Sequence, residues 1–333
     1  MSMSKTMRRG ANYRRVQGLA FGACVGKIES MGRIGRDRAI LVLLAALTLP
    51  GAGAAKEPLR LKPSSKWNVH YAEDSCRMGR SFGEGDQKVV LMIDRYQPGD
   101  ALRLSFIGKP AYTSLNEGSI RIRFGPAEAE QEAEFYPAAL ADKTPSLILR
   151  GSVRIAPYSP EVRAAAEAAL KAKKYDFEVP EITPEQEAAV TFIEVTRSIR
   201  KPFILETGSL GAPLAALEKC TDELLDHWGI DVAKHAALSR RPKPRSNPGE
   251  WMKSRDYPLP MLLSGKRAIV HFRLNVDTAG KATACHIQQS TRPKAFDDAV
   301  CKAIMRNAEF DPALDAEGKP IASYWLNSVV FHI

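Results

Sequence analysis

The sequence predicts an α+β protein: a β-rich amino-terminal domain with two helices, then a small two-layer β-β-α-β domain at the carboxy end. Three observations carry this. Apolar residues alternate with polar ones through much of the chain after a polar lead-in at 56–66, the mark of half-buried strands. Two stretches in the middle instead place apolar residues at helical spacing. From Tyr257 to the end, strand, turn, strand, helix and strand patterns follow one another without a break.

The elements can be justified in order. Trp67, Val69 and Tyr71 alternate with Asn68 and His70, and Val89 to Ile93 is a continuous apolar run. Tyr96-Gln97-Pro98-Gly99-Asp100 ends that run as a turn, since Pro fixes φ and Gly permits a positive one. Leu102, Leu104 and Phe106 alternate next, then Ile120, Ile122 and Phe124, with Arg121 and Arg123 on the solvated face. Ser159-Pro160-Glu161 opens a helix whose end carries Lys171, Lys173 and Lys174, each charge suiting the dipole end it occupies. Thr183-Pro184 opens a turn, and Ala189–Val195 and Phe203–Leu205 read as strands. A second helix is expected over Pro213 to His227, with Leu214, Leu217, Leu224, Leu225 and Trp228 on one stripe. These elements define a domain over 60–238. Residues 239–256, basic and with three prolines, read as a linker that could reach ~60 Å if fully extended.

Composition excludes several classes. With 44% hydrophobic and 26% charged residues the chain is neither disordered nor fibrous. The net charge of +10 is concentrated upstream: residues 1–30 carry +5 and residues 31–54 carry +2, leaving +3 for the rest. That distribution argues against a nucleic-acid partner. Residues 1–54 read as an upstream extension and a signal peptide. Arg33, Arg36 and Arg38 precede an apolar core at Ala39–Leu49, followed by an A-x-A cleavage site at Ala52-Gly53-Ala54. The true start is expected at Met31, and the core is short for a ~20-residue membrane span. Export by this signal is the expectation, with a single uncleaved inner-membrane anchor as the alternative.

Cysteine usage agrees with export. Downstream of Met31 stand Cys76, Cys220, Cys285 and Cys301, an even number suited to disulfides. Three connectivities are open; the domain assignment favours Cys76–Cys220 and Cys285–Cys301. No CxxC or Cys/His spacing predicts a metal, and no P-loop, GxGxxG or GxSxG predicts a cofactor or catalytic centre. Glu206-Thr207-Gly208-Ser209 superficially resembles an aspartic-protease loop, but Glu reaches one methylene too far and no second motif exists. A strand-to-helix turn accounts for it. No enzyme is predicted.

The carboxy-terminal pattern is the most informative. Ala268, Val270, Phe272, Leu274 and Val276 alternate with Ile269, His271, Arg273 and Asn275, so His271 reads as a satisfied or solvent-facing strand residue. Asp277 to Lys281 is a hairpin turn, Thr283–Gln289 a second strand, and Phe296, Ala299, Val300, Ala303 and Ile304 share one helix face. Tyr257-Pro258, Gly265, Val276-Asp277 with Gly280, Ser290, and Phe296-Asp297 with Ala299 stand in order. Phe310-Asp311-Pro312-Ala313, Gly318-Lys319-Pro320 and Phe331 complete the series. In this order and spacing the segment 255–333 resembles the C-terminal domain of TonB-family proteins. One departure is Ser290-Thr291-Arg292, which lacks the family's glycine.

The resemblance implies partner binding in the periplasm. TonB-family domains pair an exposed edge strand with a short extended segment of outer-membrane receptors, taking part in TonB-dependent transport through inner-membrane motor subunits. On this chain the resemblance places the edge at the last strand, with Ala322, Ser323, Tyr324, Trp325, Asn327 and Val329 as partner-binding residues; packing of Tyr324 and Trp325 in the two-layer core is the alternative. A homodimer is a further expectation. Two features depart from an energy transducer: the apolar core looks cleavable, and the linker is far shorter than a periplasm-spanning arm. A soluble periplasmic binding or scaffold protein is therefore the alternative.

Overall fold

Alternation builds the larger sheet of the computed structural model, which describes residues 13–17, 57–172, 176–290 and 293–332. The apolar core of the expected signal peptide and its cleavage site lie outside the described residues. Along the chain come β1 (Tyr13–Gln17), β2 (Leu59–Leu61), β3 (Asn68–Tyr71), β4 (Cys76–Phe82), β5 (Val89–Arg95) and β6 (Arg103–Ile107). After them stand β7 (Gly118–Phe124), β8 (Gln131–Ala139), β9 (Pro145–Leu149), α1 (Pro160–Lys171), β10 (Asp176–Pro180), α2 (Pro184–Ala189), β11 (Ile193–Thr196) and β12 (Phe203–Leu205). Then follow α3 (Gly211–His227), α4 (Val232–Ala236), β13 (Lys243–Pro244), α5 (Leu259–Leu263), β14 (Ala268–Val276) and β15 (Ala282–Ser290). The chain finishes with α6 (Lys294–Asn307), β16 (Phe310–Asp311), β17 (Ala313–Leu314), β18 (Pro320–Ile321) and β19 (Ser323–Phe331). The fold is α+β, a large β-rich part followed by a small sheet domain.

The large sheet runs β2-β12-β11-β7-β8-β9-β6-β5-β4-β3, antiparallel throughout except for the parallel β2–β12 pair. Its two ends meet. Just beyond β2, Pro63 bridges Phe82 of β4, Ser64 N donates to Ser81 O, and Gly83 N donates to Lys62 O. One segment therefore pairs with β12 at its start and with β4 along its continuation, closing the sheet into a barrel. Closure removes the exposed edges an open sheet would carry. The interior is solid: Phe106 of β6 and Phe203 of β12, far apart in strand order, meet edge-on at 5.7 Å.

α3 covers this core with Leu214, Leu217, Cys220 and Leu224. Two bonds fasten it. The Cys76–Cys220 disulfide, Cα atoms 6.0 Å apart, ties it to β4, and the buried Arg95 of β5 donates to Glu218 at 2.7 Å. Glu206 to Ser209 forms the β12–α3 turn, with Gly208 at φ +63°. Thr183, read as a turn, is the N-cap of the short α2: its side chain accepts from Gln186 N, and the Gln186 side chain accepts from Thr183 N. Four strands of the large sheet escaped the alternation criterion: β2, which lies in the stretch read as a polar lead-in, β4, β8 and β9. Gly79 interrupts β4, and Pro137 stands inside β8.

The small domain has its own core. β14 is the central strand of a three-stranded sheet, β15-β14-β19, both pairings antiparallel. α6 covers one face, and Phe296, Val300 and Ile304 pack with Val270, Phe272, Leu274, Trp325 and Phe331. Cys285 of β15 bonds Cys301 of α6, Cα atoms 5.6 Å apart. The 239–256 stretch, expected as a free linker, runs along this domain. β13 pairs with β16, Arg240 donates to Pro312 O, and Trp251 is buried between Phe310 and Trp325. A buried indole and a short strand pairing supply the anchorage that composition did not reveal.

Candidate partner-binding edge of the small sheet

The geometry of β19 follows from what covers its sheet. Side chains of β14 alternate, yet nearly all of them are buried. Val270, Phe272 and Leu274 face α6. His271 and Arg273 face the barrel instead and are only 6% and 3% exposed. The polar side of the strand, where His271 reads as satisfied or solvent-facing, lies against the barrel's Asp74, Tyr96 and Arg103.

That face is built from charge pairs and ring stacking. Arg273 donates to Asp74 at 3.0 Å and to Asn275 at 2.5 Å, and its guanidinium lies over the Trp228 ring at 4.0 Å. The low dielectric strengthens both contacts, and Asp74 offsets the cost of burying the cation. Arg103 meets His271 Nε2, and because arginine only donates, Nε2 must accept and the imidazole proton sits on Nδ1. Burial, helped by the Arg103 charge, holds His271 well below the ordinary histidine pKa, so the ring is neutral. Tyr96 stacks on His271 and donates to Gln289; burial pushes its phenol up. Gln288 donates to the carbonyls of Asp74 and Tyr96 at 3.1 and 3.3 Å. Tyr324 is held between His235, ring centroids 4.9 Å apart, and Trp228 at 5.4 Å, while His235 contacts Ser323 at 3.1 Å.

With both faces covered, the six side chains expected to bind a partner divide. Ala322 is exposed, and Asn327 and Val329 are half-buried. Ser323, Tyr324 and Trp325 are buried at 3%, 1% and 5%, which corrects their reading as surface contacts and agrees with the core alternative for Tyr324 and Trp325. Trp325 packs against Trp251, Phe272 and Phe310 on the α6 side, and Tyr324 packs on the barrel side. What β19 can offer is main chain. It is one of the two terminal strands of its sheet, β15 being the other, and among the described residues no strand lies beyond it. Arg273, Asp74, Tyr96 and Gln289 are the residues sequence reasoning missed here. A polar strand face against another domain carries the same alternation as one against water.

Among the described residues, no group of three His, Cys, Asp or Glu side chains could hold a metal ion, and no helix is long and apolar enough to cross a membrane. A helix-backed sheet with β19 as a terminal strand defines a module suited to strand pairing with a peptide or protein. Residues 253–333 match the family described as Gram-negative bacterial TonB protein C-terminal. The small domain is thus a TonB-type C-terminal domain, of the kind that interacts with outer-membrane receptors, while the barrel lies outside the match. No curated protein and no solved structure shows a significant match to the chain.

Proposed function

We propose that this is a non-enzymatic periplasmic protein taking part in TonB-dependent transport. It binds a short extended segment of an outer-membrane receptor along β19. The supporting observation is the terminal position of β19 in a TonB-type domain. Strand addition takes affinity from main-chain hydrogen bonds and register from alternate side chains. Of the expected residues, Ala322, Asn327 and Val329 remain the side chains a partner can touch, while Tyr324 and Trp325 stiffen the strand from within. Export by the Ala39–Leu49 signal and a domain boundary within 239–256 belong to the same reading.

One observation favours a second reading, a soluble periplasmic scaffold that transduces no energy. Residues 239–256 are held against the small domain by β13 and Trp251, so they do not act as an extended arm. Two measurements separate the readings. Amide hydrogen exchange across β19, with and without a receptor-derived extended peptide, is expected to slow on peptide addition; unchanged exchange would sink receptor binding by this strand. Amino-terminal mass after fractionation decides transduction: a soluble product beginning near Ala55 supports the scaffold, and a membrane-bound product retaining Ala39–Leu49 supports the transducer.

A further inference from the structure

Seven large apolar side chains stand exposed among the described residues, and three of them fall within the five residues of α5: Leu259, Leu262 and Leu263, exposed by 62, 41 and 79%. The core does not lack for contacts at this point. Met261, from the inner side of the same turn, packs on the small core, and the Tyr257 ring meets Phe296 at 5.6 Å and Phe331 at 5.2 Å. The turn is also rigid. Pro258 and Pro260 fix its start, Tyr257 OH donates to Lys266 O across its neck, and Lys266 N donates to Met261 O at 2.9 Å. Gly265 N closes it on Leu262 O at 3.1 Å. The leucines are held outward on a pinned protrusion.

Charge in the sequence flanking the protrusion is mostly positive. Lys253, Arg255, Lys266 and Arg267 are all exposed around its base. Of the nearby acids, Asp256 is occupied by Arg306 at 3.1 Å and by Lys253 N at 2.8 Å, leaving Glu250 as the other carboxylate in 250–267. Aliphatic tips flanked by exposed cations match the boundary between acyl chains and anionic headgroups. A protein partner would call for a pocket shaped to the protruding leucines and would not require the flanking cations.

We propose that the 258–267 turn is a membrane-contact site, inserting Leu259, Leu262 and Leu263 into an anionic lipid surface while the four cations meet its headgroups. The proposal is independent of receptor binding by β19, because it rests on other residues. It places the site beside Ala268 and its register partner Phe331, at the carboxy end of β19.

The test uses the full chain with Cys24→Ser, carrying either Leu263→Cys or Glu84→Cys labelled with an environment-sensitive fluorophore. Glu84 is an exposed position on a barrel turn. Vesicles of phosphatidylcholine with or without phosphatidylglycerol contain acyl-chain quenchers. Because the readout is local, an anchor elsewhere in the chain does not mask it. The expected result is quenching at position 263 at least about threefold above that at position 84 on anionic vesicles. It should weaken with added salt and with Lys266→Ala/Arg267→Ala. Equal quenching at the two positions would overturn the proposal. So would a vesicle-independent spectral shift at position 263 that grows with protein concentration, which would make the turn a contact between copies.

Discussion

Arg273 is the residue on which the barrel-facing side of the small sheet turns. Its side chain is 3% exposed and its ionic partner, Asp74, is 20% exposed, so removing the carboxylate strands a buried cation. Asp74→Ala is expected to cost about 3 kcal/mol, read from the urea midpoint, and adding Arg273→Met should recover much of it. Simple additivity of the two losses would refute the coupling. A second residue-scale case is Gly280, at φ +82°. A Cβ there would lie 1.9 Å from Phe310 O, and that carbonyl belongs to backbone that cannot swing aside. Phe310 N donates to Gly280 O at 2.9 Å, locking the approach. Gly280→Ala should destabilise by about 2 kcal/mol or more, with Phe310 and its Trp251 contact the first to loosen in amide exchange.

At the scale of elements, the two disulfides do different work. Cys285–Cys301 closes a short loop of separation 16 and fixes α6 to β15, whereas Cys76–Cys220 spans 144 residues and fixes α3 to β4. In the chain-entropy picture the first contributes about 3 kcal/mol and the second somewhat more. Replacing Cys285 and Cys301 together by serine should lower the melting temperature and leave the barrel's near-ultraviolet signal in place. Replacing Cys76 and Cys220 should reduce that signal as well. If either pair of replacements melts like the parent protein under oxidising conditions, the staple contributes nothing.

For the whole molecule, the buried histidine makes stability depend on pH. His271 has its pKa lowered by burial and then by Arg103, and His286 is lowered by burial and then by Arg273. Between the folded value and the unfolded value of about 6.5, the unfolded chain binds more protons, so stability rises with pH. The contribution is fully present above about pH 6.5 and is lost as pH falls below it. The urea midpoint should therefore drop between about pH 7 and pH 5, and His271→Gln should flatten that slope. An equally steep slope in the variant would assign the effect to other groups.

Local pattern was enough for much of this molecule. β6, β7, β14, α3 and α6 lie where period-two or helical spacing put them, because burial of one face writes its period into the chain; β5 follows a continuous apolar run, and β15 and β19 the order of elements after Tyr257. The two cysteine pairs followed from assigning elements to domains. The TonB-type domain was legible from the order of its turn and core residues. Tertiary structure alone decided three things: that 62–64 closes the large sheet on β4, that the His271 and Arg273 face meets the barrel, and that Tyr324 and Trp325 are buried on opposite sides of β19. Periodicity reports that a strand has two faces. It is silent on what stands opposite each, because a polar residue keeps the same alternation whether water or a carboxylate such as Asp74 faces it.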